Sequence, residues 1–326
     1  MTDWPRLFHF ERDLHIPEID LWLDSKRVKP FGFVSHAHTD HLARHKKILC
    51  TPPTAEFVQQ RIKPTHYQPV EFGQELSVGD YKISLHPAGH ILGSAQIKIQ
   101  KNGISLLYTG DFRLHPSRTV EPFEYVQADV LIMETTFGQA RYRMPSREEV
   151  EDRLIDRCKT LLAKNKTPII FAYSLGKGQE ALKILTDAQI PVAVEEQIAR
   201  YVPTYEKFGV TFGHYELFDR NDLRGKALLL PVNYRFHRFY KMLSFGYTIY
   251  LSGWGMEPNA HRRFGVNEVI PLSDHADYHQ LLELADALKP QEIYCTHGFP
   301  QFVEELRAAG HNARTLEEAS PLQHDL

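Results

Sequence analysis

Four side chains that can bind a metal ion lie within six residues of the sequence, directly after an apolar run. They are His36, His38, Asp40 and His41, and they follow residues 31–35. Alternate residues of an extended chain point to the same side, so His36 and His38 can face one ion while Asp40 and His41 turn towards a neighbouring position. A solvated polar loop is the alternative, but imidazole and carboxylate groups at this spacing favour metal binding.

Further candidate ligands occur elsewhere in the chain, again where an apolar run ends. A zinc ion has three or four protein ligands, and one loop cannot supply all of them. The additional candidates are His90, Asp111 and His297, which follow residues 81–88, 104–110 and 293–296. Each of them alone could be an ordinary turn or loop residue. Their shared placement at strand ends predicts that they meet the first group at one metal site.

Three more residues could act beside such a site. Glu134 ends an apolar strand, and His275 lies between carboxylates directly before a helix. Histidine is suited to proton transfer near neutral pH, although His275 could also be an incidental neighbour of a helix N-cap formed by Ser273 or Asp274. Asp24 could hold a ligand histidine in place, or it could be a turn residue.

A glycine-containing turn at residues 174–179 could bind phosphate. It lies between a strand and a helix, where backbone N–H groups and the positive end of the helix attract anions. The residues of this predicted phosphate cradle are Ser174, Gly176, Lys177 and Gly178. A glycine-capped turn with a solvated lysine is the alternative, and the GxxxxGK[ST] pattern of ATP-binding loops is absent. Arg113, two residues past a candidate ligand, could also reach phosphate or be an ordinary surface arginine.

Short strands, followed by alternating helices and strands, must position these side chains. Strand-like runs rich in Ile, Val, Leu, Tyr and Phe occupy residues 31–35, 81–88, 95–100, 104–110 and 129–134. A helix begins after Ser146, with Glu149 completing a capping box. Further strands are predicted at 169–173, 191–194, 227–232, 247–252 and 293–296, and further helices at 180–188, 277–288 and 301–309. The pattern predicts stacked α/β layers with boundaries near residues 138 and 254.

Composition limits the class of protein. A chain of 326 residues is long enough for about two domains. Eighteen His against three Cys exclude a disulfide scaffold and a cysteine-rich zinc ribbon. The net charge of −3 gives no indication of a basic surface over the whole protein that would bind nucleic acid. A local basic face is still possible. No signal peptide or long apolar segment is visible, so we expect a soluble cytoplasmic protein.

Taken in order, these residues resemble the motifs of the metallo-β-lactamase superfamily, and specifically of its β-CASP nuclease branch. Asp24, residues 36–41, His90 and Asp111 stand at the first four motifs, and Glu134, His275 and His297 stand at the three motifs particular to β-CASP proteins. Residues 171–180 and 251–254 resemble further β-CASP segments. The resemblance covers nearly the whole chain, which looks most like the bacterial exonucleases associated with DNA ligase operons.

The resemblance implies an αββα sandwich of residues 1–138 and 255–326, with a β-CASP α/β domain of residues 139–254 inserted. It implies two zinc ions, with Mn²⁺ as an alternative metal: His36, His38 and His90 bind one, Asp40, His41 and His297 bind the other, and Asp111 bridges them. A hydroxide between the metals would attack phosphorus. His275, oriented by Glu134, would protonate the leaving oxygen, and Asp24 would hold the hydroxide or a ligand histidine.

Several functions are consistent with this resemblance. The first is a DNA exonuclease in repair that acts on one strand in a cleft between the domains, with a DNA ligase and a helicase of the same pathway as partners. The second is a ribonuclease of the same branch, which His297 favours because DNA-acting relatives commonly carry Val there. The third is a small-molecule ester or thioester hydrolase, which would need neither the inserted domain nor the His275 acid. The fourth is a binding module without metal, which the complete set of seven ligands disfavours.

Overall fold

The computed structural model describes residues 7–63, 66–237 and 246–319. The chain forms two compact units. The sandwich unit comprises residues 1–116, 120–140 and 275–326, and the inserted unit comprises residues 117–119 and 141–274. Within the described ranges, no helix has the length and apolar character needed to cross a membrane.

Short strands dominate the chain up to residue 134, and most of the helices follow them. The strands are β1 His9–Phe10, β2 Leu14–Ile16, β3 Leu21–Leu23, β4 Phe31–Phe33, β5 Lys47–Cys50, β6 His66–Pro69, β7 Glu75–Val78, β8 Tyr81–Pro87, β9 Ala95–Lys101, β10 Ile104–Tyr108, β11 Val130–Glu134, β12 Thr167–Ala172, β13 Val192–Val194, β14 Glu216–Leu217, β15 Ala227–Pro231, β16 Gly246–Leu251, β17 Glu268–Ile270, β18 Glu292–Thr296 and β19 Ala313–Thr315. The helices are α1 Pro52–Arg61, α2 Arg147–Ala163, α3 Lys177–Asp187, α4 Glu196–Ala199, α5 Val202–Lys207, α6 Ala260–Phe264, α7 Tyr278–Leu288 and α8 Phe302–Ala308.

Two sheets share a core in the sandwich unit. One has the strand order β1-β2-β3-β4-β5-β6, and the other has the order β19-β18-β11-β10-β9-β8-β7. A single buried cluster contains Leu21 and Leu49 from the first sheet together with Ile99 and Leu106 from the second. Burial of apolar surface between the layers is the main source of stability in such a fold.

Helices cover the outer side of the second sheet. Because side chains alternate along a strand, Leu106 belongs to the core between the sheets, whereas Leu107 belongs to a separate buried cluster. That second cluster also contains Leu284 of α7 and Leu306 of α8. Helix α1 contacts β6 of the first sheet. The predicted α/β sandwich architecture is therefore confirmed.

The inserted unit is built on one parallel sheet with the order β14-β13-β15-β12-β16-β17. Strands β12 and β15 are buried along their whole length, as parallel strands covered on both faces usually are. Ile170 of β12 packs in one cluster with Leu154 of α2, while the preceding Ile169 belongs to another. The inserted unit thus has an apolar layer on each side of its sheet.

Local signals placed helix α2 correctly. Ser146 Oγ accepts a hydrogen bond from the Glu149 N–H at 3.2 Å, and the Glu149 carboxylate accepts one from the Ser146 N–H at 2.9 Å. This reciprocal pair is the predicted capping box, which satisfies backbone donors that the first turn of a helix leaves without partners.

The second predicted domain boundary, near residue 254, is wrong. The compact units divide after Ala140 and after Asp274. Strand β17 pairs in parallel with β16 through Tyr250 and Val269, so the chain completes the sheet of the inserted unit before it returns to the sandwich. Pairing between strands that are distant in sequence decided this boundary, and residues 255–274 belong to the inserted unit.

Candidate metal centre

The predicted ligands gather at one edge of the sandwich unit. In the second sheet, β10 is parallel to β11, and β11 is parallel to β18, so their carboxyl ends lie at the same edge. Strand β8 runs in the same direction, because both β8 and β10 are antiparallel to β9. His90, Asp111, Glu134 and His297 all lie at or just after these ends, and the loop 36–41 follows β4 of the facing sheet. Strand direction thus places residues from five segments together.

Four of these residues form a group that could hold a metal ion. His36, His38, His90 and Asp111 each offer one ligand atom, and these atoms all lie within 4.8 Å of one another. Asp111 Oδ2 lies 3.6 Å from His36 Nε2 and 3.8 Å from His90 Nε2. His36, His90 and Asp111 are buried. Three imidazole nitrogens and one carboxylate oxygen are a donor set suited to zinc.

His36 fits a metal ligand in its hydrogen bonding as well. Its Nδ1 lies 3.0 Å from Ser35 Oγ, whereas its buried Nε2 has no hydrogen-bond partner. Burial, together with the neighbouring His41 and His90, holds the pKa of His36 well below its usual value. The ring is therefore neutral near pH 7, and an Nε2 lone pair in a buried position is available to a cation.

The residues predicted for a second metal lie beside this group. His41 Nε2 lies 3.2 Å from Asp111 Oδ2 and 3.9 Å from Asp40 Oδ2. The ring centroids of His41 and His297 are 5.8 Å apart. Asp40 and His297 are exposed, and His297 has a left-handed backbone with φ of 50°. The structure brings these residues together, and their role as ligands stays a prediction.

The charges of His41 and Asp111 are coupled. Burial disfavours the protonated form of His41, but the carboxylates of Asp111 and Asp24 outweigh it and raise the pKa of His41 well above its usual value. Burial likewise opposes ionisation of Asp111, but His41 and His275 hold the pKa of Asp111 well below its usual value. A cation that binds His41 Nε2 must therefore displace a proton.

Asp24 contacts a candidate ligand histidine and does not belong to the group of four possible ligands. Its Oδ1 accepts a hydrogen bond from the Ser35 N–H at 2.8 Å. Its Oδ2 accepts hydrogen bonds from Ser35 Oγ at 2.6 Å and from the Tyr108 hydroxyl at 2.9 Å, and it lies 2.9 Å from His41 Nδ1. A carboxylate at Nδ1 fixes the imidazole so that Nε2 faces the metal position. Of the two predicted roles, the contact with a ligand histidine is the one seen.

We expect Asp24→Asn to lower zinc affinity by about 10- to 100-fold. The amide NH₂ would face three donors, from Ser35, Tyr108 and His41, so His41 would lose its fixed orientation. Competition with a chromogenic chelator measures the change. Asp20→Asn is the matched control, because Asp20 also has a left-handed backbone and contacts a histidine, His15, at 3.0 Å. Equal zinc affinity in the two variants would contradict the assignment.

Glu134 and His275 form a pair beside the ligand group. His275 Nδ1 lies 2.8 Å from Glu134 Oε1, and its Nε2 lies 4.0 Å from Asp111 Oδ2. The buried Glu134 carboxylate also accepts hydrogen bonds from the Phe112 N–H and from the Thr136 N–H and hydroxyl. The alternative of an incidental His275 beside an N-cap is wrong, since Asp277 caps α7. His275 is instead oriented by a carboxylate.

The predicted phosphate cradle has a different arrangement from the one expected. The Gly176 N–H donates to Gln179 Oε1 at 2.8 Å, and the Gly178 N–H donates to the Tyr173 carbonyl at 2.9 Å. These two amides are thus already used within the turn. Lys177 is buried and forms an ion pair with Asp274, so the alternative of a solvated lysine is wrong as well. Substrate contact by Ser174 and Lys177 stays a prediction.

Arg113 is buried, with 3% of its surface exposed. The alternative of an ordinary surface arginine is therefore wrong. Its backbone N–H donates to the Ala88 carbonyl at 3.0 Å, which ties the segment after Asp111 to the segment before His90. Its predicted contact with phosphate stays a prediction.

We expect Lys177→Met to destabilise the inserted unit by about 3 kcal/mol, because it leaves the buried Asp274 carboxylate without its cation. Lys183→Met is the control: Lys183 pairs with Asp187 on the same helix, but this pair is more exposed and is worth less than about 1 kcal/mol. Urea denaturation followed by circular dichroism measures both. A Lys177 variant as stable as the Lys183 variant would show that the buried pair contributes little.

Two residues that hold Asp24 in place were not identified from the sequence. Ser35 and Tyr108 both donate to Asp24, and Ser35 also contacts His36 Nδ1. Ser35 directly precedes the ligand loop, which is the one signal that could have identified it. Tyr108 lies in the strand predicted at residues 104–110, but no local pattern distinguishes it from other buried tyrosines.

Comparison with known families and proteins shows what this chain is similar to. The family described as "Zn-dependent metallo-hydrolase RNA specificity domain" matches residues 260–318. A "Probable DNA ligase" of Opitutus terrae is 39% identical over 319 residues, which are 96% of this chain and 31% of that protein. The "RNase aCSPSF2" of Saccharolobus solfataricus is 28% identical, over 62% of this chain and 46% of that protein.

A third relative, the "DNA cross-link repair protein SNM1" of Arabidopsis thaliana, is 24% identical, over 81% of this chain and 60% of that protein. The chain spans less than two thirds of the length of each of these three relatives. The match to the Opitutus protein nevertheless extends over nearly the whole chain, so it includes both compact units. The chain belongs to the β-CASP nuclease branch of the metallo-β-lactamase superfamily.

Proposed function

We propose that the chain is a zinc-dependent phosphodiesterase that cleaves single-stranded nucleic acid, acting as a DNA exonuclease in DNA repair. The observation that carries the proposal is the placement of the Glu134–His275 pair beside the ligand group. His275 Nε2 is 4.0 Å from the Asp111 oxygen that faces the ligand histidines. A group that can donate a proton thus lies next to the position where a phosphodiester would be activated.

The ligands are assigned to two zinc ions, with Mn²⁺ as an alternative. His36, His38 and His90 would hold one ion, and Asp40, His41 and His297 would hold the other. Asp111 would contribute to both, and its short distances to His36 and His41 support this. Bound metal ions of this kind activate water and stabilise negative charge on phosphoryl oxygens.

The protein side chains supply orientation and a proton. Glu134 accepts the Nδ1 hydrogen of His275, so the other nitrogen, Nε2, is the atom that delivers a proton to the leaving oxygen. Asp24 holds His41 with Nε2 directed towards Asp111. Each of these two carboxylates is buried and fixed by further hydrogen bonds, so the reacting groups need little rearrangement.

DNA is the favoured substrate. The relative whose match extends over 96% of this chain is named a probable DNA ligase, and another relative is named a DNA cross-link repair protein. In the Opitutus protein, a segment similar to this chain is part of a probable DNA ligase, which suggests that ligation follows cleavage. A DNA ligase and a helicase of the same pathway are therefore the proposed partners.

A ribonuclease is the second candidate. The matched family is described as an RNA specificity domain, and one relative is named an RNase. His297 at the last motif favours the same substrate. These observations concern part of the chain, whereas the match that favours DNA extends over nearly all of it.

The test uses 5′-labelled and 3′-labelled single-stranded DNA and RNA of one sequence, incubated with zinc-loaded protein and with His36→Ala as the control. We expect mononucleotides or short products from DNA, and none from the control. Products from RNA alone would make the protein a ribonuclease. Cleavage of p-nitrophenyl acetate without cleavage of either strand would make it an ester hydrolase. A protein that binds no zinc when zinc is added, and that cleaves none of these substrates, would have only a binding role.

A further inference from the structure

Six cationic residues form a surface, here called the basic surface, at one end of the first sheet of the sandwich unit. They come from three segments of the chain and are Arg27, Lys29, Arg44, Lys46, Lys47 and Lys63. Residues 25–30, 42–47 and 60–63, which contain them, include no Asp or Glu. The net charge of −3 for the whole chain therefore conceals a local excess of positive charge.

Hydrogen bonds hold the three segments together. The Lys46 N–H donates to the Lys29 carbonyl at 2.9 Å, and Arg44 Nη2 donates to the Lys63 carbonyl at 3.4 Å. Strands β4, β5 and β6 are parallel neighbours, so their amino ends lie side by side and carry these segments. The six cations are therefore neighbours in space.

The basic surface and the ligand loop lie at opposite ends of strand β4. Lys29 precedes the amino end of this strand, and the loop 36–41 follows its carboxyl end. Three residues of extended chain separate them, which corresponds to about 10 Å. The basic surface is thus not part of the metal centre, but a strand that leaves DNA bound there can reach that centre.

The aromatic rings of this region hold cations in position. Lys29 Nζ lies 3.2 Å from the centroid of the Trp22 ring, and Lys47 Nζ lies 4.5 Å from that of Phe31. His15 stacks on Trp22, with the ring centroids 3.7 Å apart. Unpaired bases bind mainly by stacking on aromatic side chains, and these rings are already covered. The basic surface therefore suits the charged backbone of a nucleic acid rather than its bases.

The one carboxylate seen to pair with two of these cations neutralises only part of their charge. Asp13 Oδ2 lies 2.8 Å from Arg27 Nε and 3.1 Å from Lys29 Nζ. Burial opposes ionisation of Asp13, but hydrogen bonds from Arg27 and Lys29 outweigh it and lower the pKa of Asp13. A single anion shared by two cations leaves a net positive charge and also fixes both cations in place.

We propose that the basic surface binds the phosphate backbone of double-stranded DNA, beside the single strand that is cleaved. This rests on the proposed function, because it adds a duplex-binding surface to a nuclease that acts on one strand. Lys and Arg contacts to phosphate bind any sequence and weaken as salt rises. A protein partner fits less well, since protein interfaces depend on aromatic and apolar anchors, and the rings here lie under cations.

The test measures binding of a DNA duplex of about 20 base pairs, closed by a hairpin loop at each end so that an exonuclease has no end to attack. Fluorescence anisotropy of the zinc-loaded protein is recorded from about 50 to 200 mM salt. The variant Arg44→Ala/Lys46→Ala/Lys63→Ala removes three exposed cations. We expect it to bind more than about 10-fold more weakly at the lower salt concentration and to reduce the salt slope by about 3. Its loss of affinity over this range should then be about 40-fold smaller than that of the unchanged protein.

The matched control is Lys159→Ala/Lys164→Ala/Lys166→Ala. It removes the same charge from exposed positions in and just after α2 of the inserted unit, and it should bind the duplex normally. Both triple variants should keep their zinc and hydrolyse thymidine p-nitrophenyl phosphodiester at the normal rate, because neither alters the metal centre.

Equal affinity and equal salt slope in the two triple variants would overturn the proposal. So would an oligoglutamate peptide that binds the basic surface more tightly than the duplex does at the same salt concentration, because the occupant would then be an acidic protein. Binding of the closed duplex requires no turnover. The basic surface can therefore be confirmed even if no strand is cleaved, and cleavage can be confirmed even if the variant leaves duplex binding unchanged.

Discussion

Asp111→Asn is expected to weaken zinc binding by more than about 100-fold and to reduce hydrolysis to the background rate. Asp111 Oδ2 lies within 4 Å of ring nitrogens of three candidate ligand histidines, His36, His41 and His90. The charges of His41 and His275 lower the pKa of Asp111 well below its usual value, despite its burial, so the group is an anion at neutral pH. Asparagine has the same shape without that charge.

The measurement is metal content per chain after dialysis, together with nuclease activity at saturating zinc. Asp129→Asn is the control, because Asp129 is a carboxylate of the same sheet whose bonds, from Ser105 and Gln291, are structural. It should keep its zinc. If the Asp111 variant retains two zinc ions per chain, Asp111 does not join the two ligand sets, and the assignment of a shared ligand is wrong.

The second large effect is expected from His275→Ala, which should lower kcat on DNA by about 10²- to 10⁴-fold while zinc stays bound. His275 touches Asp111 only at 4.0 Å, so the ligand group can form without it. Glu134→Gln should lower kcat less, because the amide can still lie at Nδ1 but supplies no charge. His279→Ala is the control, since His279 is exposed in the first turn of α7.

The choice of substrate separates proton donation from a structural effect. A thymidine p-nitrophenyl phosphodiester has a leaving group that departs without a proton, so His275→Ala should hydrolyse it at close to the normal rate. The alkoxide that leaves from DNA needs the proton. A variant that is equally slow on both substrates would show that His275 orders the site rather than donates to the leaving group.

Local patterns in the sequence determined the elements that depend on neighbouring residues. The Ser146–Glu149 capping box marked the start of α2, because both of its hydrogen bonds join residues three apart. The apolar run at residues 81–88 predicted β8, in which the first, third and fifth residues are buried. Helix α3, however, begins at Lys177 and not near Glu180, since Gly176 with φ of 91° allows the chain to turn directly into the helix.

The candidate ligands could also be chosen from the sequence, because residue type and position after a strand are local properties. The sequence could not show that these residues lie close together. The distance between Asp111 and His36, residues of two different sheets, depends on how those sheets pack. A sequence can show that a histidine follows a strand, but only strand pairing and direction show which ends meet.

The sequence by itself determined the types of chemistry available to this protein: imidazole and carboxylate ligands, an additional histidine and carboxylate pair, and α/β layers to carry them. The tertiary structure decided which atoms act on which. In the structure, Asp24 contacts His41 and Lys177 forms an ion pair with Asp274. Arg113 is buried, and the inserted unit ends at residue 274 rather than 254. The physical reason is that these contacts join residues far apart in the chain, whose distances are set by burial of the sheets and not by any local preference of the backbone.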